Sequence, residues 1–199
     1  IHSQKGWRFA LSRIALPGQH NVLNACAAIA MAAALGASAE SVERGLVSFE
    51  GLHHRMQFVA EMQGVSYYND SKGTNVGASV AALRGLTARR VVLIAGGRDK
   101  QGSYEPLVQV LRERGRAVVL IGEAADRIAE AVADAVPTFR ASDMDDAVRI
   151  AKQAALSGDA VLLSPACSSY DMFKDYAHRG EVFRSAVHNL MKSHGKEAP

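Results

Sequence analysis

Cysteine and unbalanced charge are both scarce in this chain of 199 residues. The two cysteines, Cys26 and Cys167, are far apart and lack the spacing of a metal site. A reduced, intracellular protein is therefore expected. The net charge is only +3, and no basic run with interleaved aromatic residues occurs. This composition argues against a nucleic-acid partner.

Long hydrophobic runs are also missing. The longest, near residues 25–35, is about half the length of a membrane-spanning helix and is rich in alanine, so it predicts a buried helix. No signal peptide is recognisable, and we expect a cytoplasmic protein without a membrane partner. The chain begins Ile-His-Ser-Gln without methionine, and its strand-like segment 7–16 has no obvious partner nearby. We therefore expect the back part of a longer protein.

Several well-known catalytic and nucleotide-binding motifs are absent. The chain contains neither G-x-x-x-x-G-K-[ST] nor a G-x-G-x-x-G after its first strand, so it cannot by itself supply a Walker-type triphosphate site. There is no G-x-S-x-G elbow, so Ser169 and His178 are not predicted to form a nucleophilic triad. The pair His53-His54 does not have the spacing of a zinc site.

What the sequence does contain is an alternation of strand and helix patterns. Residues 17–49 are predicted to be helical, with Asn21 or Asn24 near the first cap, a break at Gly36 and a second cap at Ser38. Two strands around a Gln-Gly turn follow, and then strands and helices alternate, with Ser142 capping one helix. The predicted later strands are 90–97, 117–122, 138–141 and 159–165. This order predicts an α/β fold, a Rossmann-like parallel sheet with helices on both faces.

Three polar segments directly follow predicted strands: "NDSKGTN" (69–75), "GGRDKQGS" (96–103) and "SPACSSYD" (164–171). Ligands of open parallel sheets bind outside the carboxyl ends of the strands, so the three segments should share one edge. Their lysines, hydroxyls and helix-start amides suit carboxylates or phosphates. Taken singly, each segment could be a turn, a helix cap or a solvated charge, but their expected convergence favours a binding site.

Four segments stand out: "GQHNVLNACAAIAMAAALG" (18–36), "FEGLHHRMQFV" (49–59), "NDSKGTN" (69–75) and "LLSPACSSYDMFKDYAHRGEVF" (162–183). Together they resemble one family, the Mur ligases. The last segment is the most specific and is similar to the branch that adds D-glutamate to UDP-N-acetylmuramoyl-L-alanine in peptidoglycan synthesis. The resemblance implies that residues 51–199 form the C-terminal, amino-acid-binding domain and that residues 1–50 end the central ATPase domain.

The resemblance also implies a cofactor, ATP with Mg²⁺. Asn21 and Asn24 would contact the adenine side of ATP, and Asp70 would hold the ribose. The phosphate-binding loop, the magnesium ligands and the UDP-binding domain would lie outside this chain, so no residue here is assigned to a metal. The isolated chain is therefore expected to be inactive.

For catalysis, the resemblance implies an acyl-phosphate and then a tetrahedral intermediate. His54 and Arg55 would lie at a hinge, with Arg55 reaching the phosphates, and Lys72 would hold the phosphate or acyl-phosphate. Preorganised cations of this kind stabilise developing negative charge.

The D-glutamate site is implied in the same way. Thr74 and Lys100 would hold the α-carboxylate, while Ser169 and the backbone amides near Tyr170 and Tyr176 would hold the side-chain carboxylate. A dicarboxylic amino acid needs two such anion-binding sites.

Two alternatives stay open from the sequence. One is a folylpolyglutamate-synthase-type ligase, which would need a different segment at 164–180. The other is a stand-alone Rossmann-like binding module without catalysis. In each case a monomer with small-molecule ligands is expected.

Overall fold

A computed structural model of the chain describes residues 6–14 and 19–194. The chain forms two compact units, Ile1–Leu52 and His53–Pro199. Within the described ranges, no helix has both the length and the apolar character needed to cross a membrane.

The first unit is helical. A short 3₁₀ helix, Leu11–Arg13, precedes α1 (Gln19–Ala34) and α2 (Ala39–Ser48). Ser38 caps α2 as predicted, because its side chain accepts a hydrogen bond from the Ser41 N–H. The predicted α1 cap was wrong, since Asn21 and Asn24 lie inside the helix. The predicted strand at 7–16 was wrong in its second half, because Leu11–Arg13 forms the 3₁₀ helix. Of residues 7–10 only Arg8 forms an isolated β-bridge, and residues 15 and 16 lie outside the described ranges.

The second unit is built on a six-stranded sheet with the order β1-β2-β6-β3-β4-β5. The strands are β1 (Gln57–Met62), β2 (Val65–Asn69), β3 (Val91–Gly96), β4 (Gly115–Ile121), β5 (Thr138–Arg140) and β6 (Ala160–Leu163). All neighbouring pairs are parallel except β1 and β2, which form an antiparallel hairpin. The sheet is therefore mixed rather than purely parallel. The hairpin turn is the predicted Gln63-Gly64, with φ values of 54° and 74°, which suit a tight two-residue turn.

Helices cover both faces of this sheet, as predicted. They are α3 (Val76–Gly85), α4 (Glu105–Arg114), α5 (Ala125–Val132), α6 (Met144–Ala154) and α7 (Tyr176–His194). Helices α3, α4 and α5 pack on one face, and α6 and α7 on the other. The cap of α6 is Asp143, whose side chain accepts from the Asp146 N–H, and not the predicted Ser142, which lies one residue earlier.

The central strands β3 and β6 are completely buried. Along β3 the side chains alternate between the two faces, with Leu93 in the α3–α5 core and Ile94 in the α6–α7 core. Burial on both faces explains the continuous apolar sequence of these strands. Because β2, β6 and β3 are adjacent and parallel, the segments that follow them begin at the same edge of the sheet.

Candidate active site

The three polar segments come together at this edge, which confirms their predicted convergence. We call residues 69–75 the first loop, 96–103 the second loop and 164–171 the third loop. The Ala166 N–H donates to the Gly73 carbonyl at 3.0 Å, which joins the first loop to the third. Arg98 and Ser168 exchange two backbone hydrogen bonds of 3.0 and 3.2 Å, which join the second loop to the third. The loops thus form one connected surface.

Close backbone approach at the second loop requires glycine. Gly97 has φ of 128°, and a Cβ there would overlap the carbonyl oxygen of Ser168. Gly96-Gly97, predicted as either a turn or part of a site, therefore allows the second and third loops to touch.

Asp70, the second residue of the first loop, is buried and only 7% exposed. Its Oδ2 accepts from the Ser164 hydroxyl at 2.7 Å, and its Oδ1 accepts from the Met56 N–H at 3.2 Å. Burial raises the pKa of Asp70 to about 6, although these two hydrogen bonds and the charge of Arg55 oppose that rise. The carboxyl group fixes the first loop to the third, and its predicted contact with ribose stays a prediction.

Asn69 and His54 form a buried pair at the start of the first loop. Asn69 Nδ2 donates to His54 Nδ1 at 3.1 Å and to the Gly180 carbonyl at 3.2 Å, and its Oδ1 accepts from the Ser71 N–H at 3.1 Å. Burial lowers the pKa of His54, against the opposite effect of Glu181, whose carboxylate lies 3.8 Å away. A neutral imidazole is consistent with the accepting role of Nδ1.

Backbone geometry marks the segment around His54 as unusual. His54 and Met56 have φ values of 63° and 45°, which side-chain-bearing residues seldom adopt. The His54 carbonyl accepts from the Lys72 N–H at 3.0 Å, so this segment is attached to the first loop. Arg55, between them, is exposed. This arrangement leaves the Arg55 side chain available to a ligand.

Lys72 and Tyr176 lie together. The Lys72 ammonium is 3.7 Å from the centre of the Tyr176 ring, a cation–π contact between the first loop and the start of α7. Both residues are partly exposed. A cation held by a ring, rather than by a carboxylate, keeps its charge available for an anionic ligand.

A pocket of about 260 Å³ lies beside the second loop. Its lining includes Asn75 and Gly77 at the N-terminus of α3, together with Lys100, Ser103 and Tyr104. Asp99 also lines the pocket, and its carboxylate is paired with Arg127. A helix N-terminus and a lysine both favour anions. Lys100 therefore lies where an anionic group could bind.

Three other residues predicted from the sequence, Ser169, Tyr170 and Thr74, differ in exposure. Ser169 is buried, and its carbonyl accepts from the Met172 and Phe173 N–H groups at 3.3 and 2.8 Å. Tyr170 is 65% exposed. Thr74 is partly buried next to the cap of α3, with its N–H donating to the Lys72 carbonyl at 2.8 Å. All three lie on the converged loops.

The predicted adenine contacts lie in the first unit. Asn21 is partly buried on α1 and Asn24 is exposed. Their ATP-binding roles stay predictions. Among the described residues, no group of three or more His, Cys, Asp or Glu side chains is arranged to hold a metal ion.

Arg179 was not predicted from the sequence, yet it is the largest completely buried side chain of the described residues. It lies on α7 and donates hydrogen bonds to Ser71 and to the Cys167 carbonyl. Its position four residues before the buried Phe183 puts it on the apolar stripe of the helix. A charged residue on such a stripe is the signal that could have revealed it.

The chain matches a known protein family. The model of the Mur ligase glutamate ligase domain matches residues 54–167, more than half of the chain. The chain belongs to the Mur ligase family. The matched range includes the first two loops of the site and the beginning of the third, up to Cys167.

Curated Mur ligases with substantial sequence identity support the same assignment. The UDP-N-acetylmuramoylalanine–D-glutamate ligase of Legionella pneumophila strain Lens is 49% identical over 180 residues, covering 89% of this chain and 40% of the relative. The enzyme of that name from Nitrosospira multiformis is 51% identical over 178 residues, covering 89% of this chain and 37% of the relative. The chain thus spans about two fifths of the length of these relatives.

Solved structures show the same fold at low sequence identity. UDP-N-acetylmuramate-alanine ligase MurC from Thermotoga maritima has a TM-score of 0.66 at 19% identity, covering 89% of this chain and 39% of that chain. Folylpolyglutamate synthase from Mycobacterium tuberculosis, in complex with ADP, has a TM-score of 0.64 at 17% identity, covering 84% and 41%. The sheet of this Mur ligase domain and its helical layers are therefore a known architecture.

Proposed function

We propose that this chain supplies the amino-acid-binding part of an ATP-dependent ligase that joins D-glutamate to UDP-N-acetylmuramoyl-L-alanine in peptidoglycan synthesis. The observation that supports this most directly is the convergence of three loops carrying two lysines and two helix N-termini at one edge of the sheet. The relatives named as D-glutamate ligases match about nine tenths of the chain.

The proposed reaction has two steps. A carboxylate oxygen of UDP-N-acetylmuramoyl-L-alanine takes the γ-phosphoryl group of ATP, which releases ADP and forms an acyl-phosphate. The amine of D-glutamate then attacks the acyl carbon, and inorganic phosphate leaves as the amide bond forms. Mg²⁺ would screen the phosphate charges, and its ligands are not assigned to residues of this chain.

Lys72 is the residue we propose for the phosphate. Its ammonium is oriented by the Tyr176 ring at 3.7 Å, and no ion pair with a carboxylate neutralises it within the described part of the chain. A preorganised cation stabilises negative charge that develops during the reaction. Arg55 is exposed beside the first loop and would add a second cation, while His54 would hold that segment in place through Asn69.

D-Glutamate would bind through its two carboxylates. The pocket at the N-terminus of α3, with Lys100 and the neighbouring Thr74, is proposed for the α-carboxylate. Ser169, with backbone amides near Tyr170 and Tyr176, is proposed for the side-chain carboxylate. Because two anchored carboxylates alone do not distinguish mirror images, selection of D-glutamate would also require its amine to be directed at the acyl-phosphate.

ATP would bind partly through Asn21 and Asn24 on the adenine side and through Asp70 at the ribose. Asp70 would have to exchange one of its internal hydrogen bonds for a ribose hydroxyl. We propose a cytoplasmic enzyme, because ATP and the nucleotide-sugar substrate are cytoplasmic small molecules. We propose a monomer, because the three loops of the candidate site all come from one chain.

An amide-resolved NMR titration of the chain with D-glutamate tests the amino-acid site, with L-glutamate and D-alanine as controls. We expect saturable shifts at Thr74, Lys100 and Ser169 with D-glutamate only. Equal shifts with L-glutamate would favour a folylpolyglutamate-type ligase. An absence of shifts with any of the three would favour a binding module of another kind.

A chimera tests the ligase itself. The matching 180 residues of the Legionella pneumophila relative would be replaced by those of this chain, and phosphate release would be measured with all three substrates. We expect activity in the chimera and at least a hundredfold lower kcat after Lys72→Ala, in the range for loss of one electrostatic group. Lys192→Ala, an exposed lysine near the end of α7, is the matched control. An active Lys72→Ala chimera would remove Lys72 from the catalytic residues.

A further inference from the structure

The buried guanidinium of Arg179 contacts all three loops of the candidate site. Its Nε donates to the Ser71 hydroxyl at 3.0 Å, and its Nη2 donates to the Ser71 carbonyl at 2.9 Å. Both Nη1 and Nη2 donate to the Cys167 carbonyl at 3.2 Å. A Cβ added to Gly97 would lie 3.2 Å from Nη1, so the second loop packs directly against the guanidinium.

A series of contacts connects Arg179 to Lys72. The Ser71 hydroxyl accepts from Arg179 and donates to the Tyr176 carbonyl at 2.7 Å. Tyr176 in turn holds the Lys72 ammonium against its ring. The position of the proposed phosphate-binding lysine is thus connected to the buried guanidinium through two side chains.

The charge of Arg179 is unusual for a buried group. The side chain is 0% exposed, and its hydrogen-bond acceptors are carbonyl and hydroxyl oxygens. No carboxylate pairs with it among the described residues, and Asp171 acts on it only at longer range. Burial lowers the pKa of Arg179 to about 10, so the guanidinium stays charged at neutral pH.

Simple stability does not account for such an arrangement, because an apolar residue would fill the same stripe without desolvating a charge. A planar fork of five N–H groups, by contrast, can fix two backbone segments at once. We propose that Arg179 is a positioning residue that holds the three loops in the register required for anion binding. The ligand part of this proposal rests on the proposed function, whereas the loop part stands on the contacts alone.

Hydrogen exchange measured at individual amides tests the loop part without any ligand. The amides of Arg98, Ala166 and Ser168 each bond across two loops. In Arg179→Met and Arg179→Lys we expect them to exchange at least tenfold faster, while β3 amides change less than twofold. Lysine keeps the charge but cannot span both carbonyls, so it should not restore protection. Arg112→Met, at an exposed site on α4, is the matched control.

D-Glutamate affinity tests the ligand part. We expect Kd to rise at least tenfold in both Arg179 variants. In the chimera we expect KM for D-glutamate to rise, while KM for UDP-N-acetylmuramoyl-L-alanine, whose UDP-binding domain would lie outside this chain, stays within twofold. Failure of the wild-type chain to bind D-glutamate would overturn the proposed function, and the exchange data would still decide the loop part. Normal exchange and affinity in Arg179→Lys would overturn the positioning role. If Arg179→Met fails to fold, Arg179→Lys and Ser71→Ala replace it as the test. Unchanged hydrogen exchange in both of these variants would overturn the positioning role.

Discussion

The buried Asp70 carboxyl should make the stability of the second unit depend on pH, and Asp70→Asn should remove that dependence. Asparagine has the same shape and can keep the bond from the Met56 N–H at its oxygen. Its new NH₂ group would face the Ser164 hydroxyl, which would then accept a hydrogen bond instead of donating one. The Ser164 hydroxyl can donate to the Ser79 hydroxyl instead, which lies 3.0 Å away. The substitution thus removes a titrating group and leaves few polar atoms unpaired.

The magnitude follows from the two pKa values. Burial raises the pKa of Asp70 from its ordinary value of 3.8 to about 6. Between these values the folded state holds a proton that the unfolded state has lost, so stability falls as pH rises and levels off above about pH 6. The full difference corresponds to about 3 kcal/mol, of which about 2 kcal/mol is lost between pH 4 and pH 7. The stability of Asp70→Asn relative to wild type should increase by that amount over the same interval.

Urea titrations at several pH values, followed by far-UV circular dichroism, measure this difference. The single tryptophan, Trp7, lies in the first unit, so its fluorescence would report that unit instead. Asp126→Asn, at a side chain that is 90% exposed, is the control and should follow the wild-type pH profile. Parallel profiles for wild type and Asp70→Asn would refute the reasoning, because they would mean that Asp70 titrates alike in both states.

The same titrations test two further substitutions. Gly180→Ala should lower the free energy of unfolding by about 1–3 kcal/mol, because the new Cβ would overlap His54. Gly102→Ala has open space around it and should change that free energy by less than about 0.5 kcal/mol. Similar values for the two variants would contradict the packing. Arg116→Met should cost about 3 kcal/mol, since it leaves the completely buried Asp159 carboxylate without its ion-pair partner, and a loss under about 1 kcal/mol would show that water reaches that carboxylate.

Most of the sheet could be predicted from the sequence, because its signals are local. The continuous apolar runs of β3 and β6 reflect burial on both faces, and the turn at Gln63-Gly64 reflects a preference for positive φ. The wrong cap predicted for α6 also has a local cause. At the start of α6 two adjacent residues could cap, and Asp143 rather than Ser142 had the carboxylate that reaches the Asp146 N–H.

The support of the candidate site could not be predicted in the same way. Ser164 bonds to Asp70 across 94 residues of sequence, Arg179 to Ser71 across 108, and Asn69 to Gly180 across 111. No spacing rule joins such pairs, since only the strand order brings them together. The sequence therefore predicted which loops converge, but not which residues hold those loops in place.

The loops could be predicted and their supporting residues could not, for a physical reason. The groups proposed to bind ligand, such as Lys72 and Lys100, lie in loops that follow strands, so the topology alone points to them. Loops that bind two carboxylates must hold their donors to well under 1 Å, and backbone bonds between loops do not give that precision unless something buried fixes them. In this chain that support comes from Asn69, Asp70 and Arg179, all polar and buried. Substitutions there should therefore alter ligand affinity even though none of the three need touch the amino acid.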